Sequence, residues 1–93
     1  MDKLQKWALI EEQLIKAFNL LPSDITESDF GYRKEDFLEY IRHNEFRLAM
    51  EELDGVVEDN PAPRKEFWQH LINAAEIMGN SRVQKYRTFL DVT

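Results

Sequence analysis

The amino-acid sequence predicts an all-α fold, a compact antiparallel bundle or helical-hairpin array of about five helices. Apolar residues recur at helical spacing along most of the chain. No run of roughly four to eight β-branched and aromatic residues alternates with polar ones, so no strand is predicted. With 93 residues the chain has room for one modest core, and we expect a single helical domain over residues 1–93.

The first helix is predicted from an apolar stripe near the N-terminus. The stripe consists of Leu4, Trp7, Ala8, Leu14, Ile15, Phe18 and Leu21. The helix must end before Pro22, because proline lacks the amide N–H that a helix interior uses. Glu11 falls within the stripe, and a buried lone carboxylate is costly. We expect Glu11 to pair with Arg33, Arg82 or Arg87, or to reach water at the edge of the stripe.

The second and third helices are predicted to form a hairpin. Residues 22–29 are rich in cap and turn formers and lead into the second helix. Its apolar face consists of Phe37, Leu38 and Ile41. Asn44 is predicted to cap the third helix, which ends at the Asn-Pro-Ala-Pro sequence of residues 60–63. The stripe of the third helix consists of Phe46, Ala49, Met50, Leu53 and Val57.

The fourth and fifth helices are separated by a glycine stop signal. The stripe of the fourth helix consists of Trp68, Leu71, Ile72, Ala75 and Met78. Gly79 and Asn80 end it, because glycine takes the left-handed conformation freely. Ser81 is predicted to cap a short fifth helix, which depends on docking for its stability. Its stripe consists of Val83, Tyr86 and Leu90.

Composition and charge disfavour or exclude several classes of function for this chain. A formal net charge of −6 disfavours direct binding to nucleic acid or to anionic lipid. The absence of cysteine excludes disulfides, thiolate metal sites and a cysteine nucleophile, and it fits a cytoplasmic protein. No segment approaches the roughly 18 apolar residues of a membrane span, and the N-terminus lacks the apolar core of a signal peptide. We therefore expect a protein that is neither exported nor inserted into a membrane. We also expect it to be a monomer.

Two carboxylate–imidazole pairs are the candidates for a metal site. Glu39 and His43, like Glu66 and His70, are four residues apart and lie one helical turn from each other. Di-iron bundles use the closer Glu-x-x-His spacing, so surface pairs are the favoured interpretation. The sequence contains no phosphate loop, nucleophile elbow or His-Glu-x-x-His motif. We expect no catalytic residue, cofactor or metal; a small carboxylate enzyme or metal protein would bring these four side chains together.

The acidic residues are concentrated in one part of the chain. Residues 24–60 contain twelve acidic and four basic residues and carry −8, whereas the remaining residues carry +2. Such a field speeds association with a basic partner. Leu48 falls opposite the apolar stripe of the third helix, so it is either an exposed anchor or covered by the first or fifth helix. Gly55 leaves a bare backbone that a partner could approach closely.

Residues 35–53 resemble small helical immunity proteins of bacterial toxin systems, particularly the Maf-type group. These proteins often carry a helix junction with the pattern (Ile/Leu)-x-x-(Gly/Asn)-Glu-(Phe/Tyr)-x-x-Ala. Residues 41–49 match that junction, and residues 74–79 are similar to the closing helix of the family. The resemblance covers about half of the chain. It implies a cytoplasmic protein that neutralises a toxin domain delivered by neighbouring cells, often a nuclease, whose gene lies immediately upstream.

Charge and resemblance together predict partner binding through the acidic helical hairpin, by steric and electrostatic occlusion of a basic toxin surface. The predicted contact residues of the third helix and its end are Glu45, Leu48, Glu51, Glu52, Asp54, Glu58 and Asp59. Those of the second helix are Glu35, Asp36, Glu39 and Tyr40. The alternative is a helical adaptor that binds a peptide or protein through an apolar groove, with little dependence on salt.

Overall fold

Helix α1 spans Lys3–Phe18 and begins with a capping box. In this computed structural model, which describes residues 2–91, the Asp2 carboxylate accepts a hydrogen bond from the backbone N–H of Gln5 at 2.8 Å. The Gln5 side chain accepts one in return from the backbone N–H of Asp2 at 3.3 Å. The helix ends at Asn19, so its predicted end before Pro22 is confirmed.

Four further α-helices complete the described chain, which confirms the predicted all-α fold. They are α2 (Lys34–Arg42), α3 (Phe46–Asp54), α4 (Lys65–Met78) and α5 (Val83–Asp91). A 3₁₀ turn, Gly55–Glu58, continues directly from α3. Helix α4 packs between α1 and α5, and α2 packs against α3. The connection at 19–33 is longer than the short loops that the sequence suggested.

The core lies around α4 and is rich in aromatic rings. The Trp68 side chain is fully buried, stacks on Phe89 with ring centroids 4.1 Å apart, and contacts Tyr86 at 5.8 Å. Phe18 of α1 stacks on Phe37 of α2 at 4.9 Å, which joins the α1–α4–α5 group to the α2–α3 pair. Each of the five helices therefore contributes a side chain to this core.

The apolar face of α1 is rotated from the predicted stripe. Its buried residues are Ile10, Leu14 and Ala17. Leu4 is 74% exposed and Ala8 is also exposed. Helix α1 contacts the rest of the protein through the line of Ile10, Leu14 and Ala17 and not through the predicted stripe. Glu11 lies at the half-exposed edge of the line and makes no ion pair with a described residue. The three arginines predicted as its partners pair with other carboxylates.

The α2–α3 junction differs from the prediction that Asn44 caps α3. Asn44 takes a left-handed conformation, with φ of 56°, and the N-cap residue of α3 is Glu45. The backbone N–H of Glu45 donates to the carbonyl of Tyr40 at 2.8 Å, which closes α2. Asparagine tolerates this conformation better than most residues, so Asn44 ends one helix instead of starting the next.

The later boundaries follow the predicted stop signals more closely. Gly79 has φ of 68° and ends α4, as predicted. The side chain of Asn80, rather than that of Ser81, accepts a hydrogen bond from the backbone N–H of Arg82 at 2.9 Å and leads into α5. After α3, the tighter winding of the 3₁₀ turn buries Val56 and leaves the predicted Val57 partly exposed. Within residues 2–91, no helix has the length and apolar character to cross a membrane.

Candidate partner-binding site

Helices α2 and α3 contribute to a groove of about 330 Å³, which we name the hairpin groove. Six of the predicted contact residues line it: Tyr40, Leu48, Glu51, Glu52, Asp54 and Glu58. Gly31 and Gly55 also line it, together with three residues that were not predicted: Phe30, Arg82 and Lys85. Leu48 is half-buried there, so it is neither an isolated exposed anchor nor fully covered by a helix.

Asp54 is an internal structural residue of the groove wall, which corrects its prediction as a surface contact. Its side chain is 8% exposed. The carboxylate accepts hydrogen bonds from the Tyr86 hydroxyl at 2.7 Å and from Arg82 Nη1 at 3.1 Å, and Lys85 Nζ lies 3.8 Å away. Burial and the Asp54 carboxylate raise the pKa of Tyr86, so its hydroxyl remains a donor. This network joins α3 to α5.

Glu51 and Glu52 are also engaged within the protein. Glu51 lies between two guanidinium groups, 3.1 Å from Arg47 Nη1 and 3.4 Å from Arg82 Nε. Glu52 accepts a hydrogen bond from the backbone N–H of Arg33 at 2.7 Å, at the start of α2. Burial raises the pKa of Glu52, although that hydrogen bond acts in the opposite direction. Both carboxylates line the groove while they stabilise its walls.

The bare backbone at Gly55 receives the protein's own loop, which corrects the expectation that a partner approaches there. A Cβ atom on Gly55 would lie 3.0 Å from the carbonyl carbon and oxygen of Gly31. The loop is held further by Ser28, whose hydroxyl donates to Asp59 Oδ2 at 2.5 Å and accepts from the Gly31 N–H at 3.0 Å. Two glycines therefore allow residues 28–31 to pack against the end of α3.

The other five predicted contact residues do not line the hairpin groove. Glu35, Asp36 and Glu39 are exposed residues of α2. Glu39 is paired with neighbouring Arg42, whose hydrogen bond lowers the pKa of that carboxyl. Glu45 lines a separate depression together with Trp7 and three basic residues, Lys3, Lys6 and Arg47. Asp59 lines another, which lies between residues 20–26 and residues 59–64.

Three predicted acidic residues keep exposed carboxylates without an intrachain partner. The side chains of Glu35, Glu45 and Glu58 make no ion pair or hydrogen bond with any residue in the range 2–91. Glu58 also lines the hairpin groove. Among the predicted contact residues, these three carboxylates are therefore the ones that no described residue holds by an ion pair or a hydrogen bond.

The two candidate metal pairs do not converge. His43 Nδ1 lies 3.3 Å from Glu39 on α2. His70 Nδ1 on α4 lies 2.8 Å from the side-chain oxygen of Gln13 on α1, and burial lowers the pKa of His70. In the described part of the chain, no group of three or more histidine, aspartate or glutamate side chains could hold a metal ion. Each pair is accounted for by contacts with its own neighbours.

Phe30 is the main residue that sequence reasoning missed. Its side chain is 96% exposed, in a loop outside every helical stripe. The signal was an aromatic residue between Asp29 and Gly31, in a segment otherwise rich in turn formers. Arg82 and Lys85 were also missed, because nothing in the helical periodicity of α5 indicates that it borders the acidic hairpin.

No protein-family model, curated protein or solved structure matches this chain. The resemblance to Maf-type immunity proteins therefore stays a prediction from residues 35–53 and 74–79.

Proposed function

We propose that this protein is an immunity protein that binds a basic toxin domain and neutralises it by steric and electrostatic occlusion. The observation that carries the proposal is the set of three exposed, unpaired carboxylates on the acidic hairpin, those of Glu35, Glu45 and Glu58. They lie within the segment 24–60, which carries −8, while the remaining residues carry +2. The sequence likeness to immunity proteins supports the same assignment.

Electrostatics distinguishes these three residues from their paired neighbours. The field of Glu39, Glu51 or Asp54 is largely cancelled at a distance by the cation beside it. A carboxylate without such a cation attracts a positive surface over about 8 Å at physiological salt, and further at low salt. A toxin that grips nucleic-acid phosphates needs a basic cleft, and an acidic hairpin complements such a cleft.

Toxin protection is the direct test of this function. The chain is co-expressed with the C-terminal domain encoded by the gene immediately upstream of its own, and cell survival is measured together with complex formation by isothermal titration calorimetry. We expect survival and a one-to-one complex. Death of the cells with no complex formed would contradict the proposal.

A charge-reversal variant tests the surface. Replacing the three residues Glu35, Glu45 and Glu58 with lysine should slow association with the toxin domain by roughly 10- to 100-fold at low salt. The matched control places the same three reversals at the exposed residues Glu12, Glu76 and Asp91, outside the hairpin. The control should keep most of the wild-type rate, because its positions lie outside the predicted interface. Glu12 and Glu76 pair with Lys16 and Arg87, and the loss of these exposed pairs costs little stability.

The adaptor alternative gives a different result in the same experiment. Binding through an apolar groove would keep its affinity at high salt and would tolerate the hairpin reversals. If the hairpin and control variants slow association equally, the acidic hairpin is not the interface.

A further inference from the structure

Phe30 presents an aromatic ring to solvent at the edge of the hairpin groove. Its side chain is 96% exposed, and the other large apolar side chains exposed among residues 2–91 are Leu4 and Leu9. Leu48 and Tyr40, both half-buried, line the same groove among mostly charged residues. Covering a ring of this size removes a large apolar area from water, so a partner gains free energy by packing on it.

The turn that carries Phe30 is fixed on both sides. Before it, the hydroxyl of Ser28 is hydrogen-bonded to Asp59, and the backbone N–H of Ser28 donates to the carbonyl of Tyr32 at 3.3 Å. After it, Gly31 packs on the backbone at the end of α3, and the ring of Tyr32 is buried. Because the backbone is already ordered, binding at Phe30 costs little further loop entropy.

The charges around Phe30 favour a cationic partner group. Arg82 and Lys85 line the groove, but both lie within ion-pair distance of carboxylates on α3. Glu52 and Glu58 line the same groove and have no cation within ion-pair distance among the described residues. The groove thus combines an exposed aromatic ring with the exposed carboxylate of Glu58 and with Glu52, which accepts a hydrogen bond from the backbone N–H of Arg33.

We propose that Phe30 is the anchor of the interface and receives an arginine side chain of the partner protein. The planar guanidinium stacks on the ring, its N–H groups donate to the carboxylate of Glu58, and its aliphatic part packs towards Leu48. The identity of the partner as a toxin rests on the function proposed above, whereas the preference for arginine follows from the groove.

Arginine fits this surface better than lysine for two physical reasons. A guanidinium is planar, so it stacks on an aromatic face while its fork of N–H groups reaches a carboxylate. A guanidinium is also hydrated more weakly than an ammonium group, so it loses less hydration free energy when the ring covers it. Exposed aromatic rings and arginine are both common anchors at protein interfaces.

A peptide titration tests the preference without knowledge of the toxin. The full chain, labelled with ¹⁵N, is titrated with hexa-arginine and separately with hexa-lysine at low salt, and amide shifts are followed by NMR. We expect hexa-arginine to give saturable shifts at Gly31, Leu48, Gly55 and Glu58. Hexa-lysine should bind roughly two- to fivefold more weakly, with smaller shifts spread over the acidic residues.

Variants of Phe30 and Leu4 identify the anchor. Phe30→Ser should weaken hexa-arginine binding roughly two- to fivefold, and Phe30→Tyr should retain it. Leu4→Ser is the matched control, since Leu4 is also exposed but lies outside the groove. Unchanged shifts elsewhere in each spectrum show that the variant is folded. Equal binding of the two peptides, or full binding by Phe30→Ser, would overturn the assignment.

The outcome is distinguishable from failure of the proposed function. If the peptides do not discriminate but the hairpin reversals abolish toxin protection, the anchor is wrong and the immunity function stands. If hexa-arginine binds at Phe30 but the chain gives no protection, the surface is correct and its partner is not the upstream toxin.

Discussion

Replacing Tyr86 with phenylalanine tests the contact that joins α3 to α5. The variant removes one hydroxyl and leaves the ring in place beside Trp68. In the wild-type protein that hydroxyl donates to the buried carboxylate of Asp54 at 2.7 Å. The variant therefore leaves Asp54 with Arg82 at 3.1 Å and the more distant Lys85 at 3.8 Å.

The expected loss of stability follows from the charge and burial of the acceptor. A hydrogen bond to a charged group contributes about 1.5–3 kcal/mol. Arg82 remains to compensate Asp54, so we expect about 2 kcal/mol, towards the lower end of that range. For a domain of this size, this corresponds to a fall of roughly 8–16 °C in Tm. Asp54→Asn should be destabilising as well, because it removes the charge that faces both cations.

The assay is urea unfolding followed by tryptophan fluorescence and far-ultraviolet circular dichroism. Trp68 is fully buried near Tyr86 and reports on this part of the core. A double-mutant cycle of Tyr86→Phe with Asp54→Asn should give a coupling of about 1–2 kcal/mol. The control is Tyr40→Phe, whose hydroxyl has no partner among the described residues and whose effect should stay within about 0.5 kcal/mol. Additive single effects would refute the reasoning.

Two further predictions concern the walls of the hairpin groove. Gly55→Ala should lower the unfolding free energy by about 1–3 kcal/mol, despite the better helix propensity of alanine, because the new methyl would press on the backbone of Gly31. Chemical denaturation measures it, and a stabilised variant would contradict the contact. Glu52→Gln should be more stable than wild type at pH 7, since burial raises the folded-state pKa of Glu52 and penalises its charged form. The difference should narrow as pH falls through that pKa in thermal melts; a constant difference would exclude this cause.

Local signals in the sequence were sufficient to predict the five helices, but not the N-cap of α3 or its end at Asp54, which lies before the predicted stop at residues 60–63. The stripes of α3 and α4 and the stop signals at Pro22 and Gly79 each act within one or two helical turns. The rotation of α1 was not predictable in this way. Leu4 and Ile10 are both apolar, and only the position of the neighbouring helices decides which of them is buried.

The candidate site was harder to predict because its contacts are distant in sequence. Asp54 and Tyr86 are separated by 32 positions, and Ser28 and Asp59 by 31. Periodicity carries no information about such pairs, so Asp54 was predicted as a surface acid. Likewise, the backbone of Gly31 packs against Gly55. The sequence shows only that Gly55 has no side chain, and it does not show which segment lies against it.

The separation of paired from unpaired acids has a consequence for how this protein can change. Asp54 and Glu52 are constrained by the fold, so substitution there alters stability whatever the partner. The side chains of Glu35, Glu45 and Glu58 make no ion pair or hydrogen bond with another described residue, so substitution there should change stability little. Under the proposed function, new partner preferences can arise at these three positions through single substitutions, while the helices keep their packing.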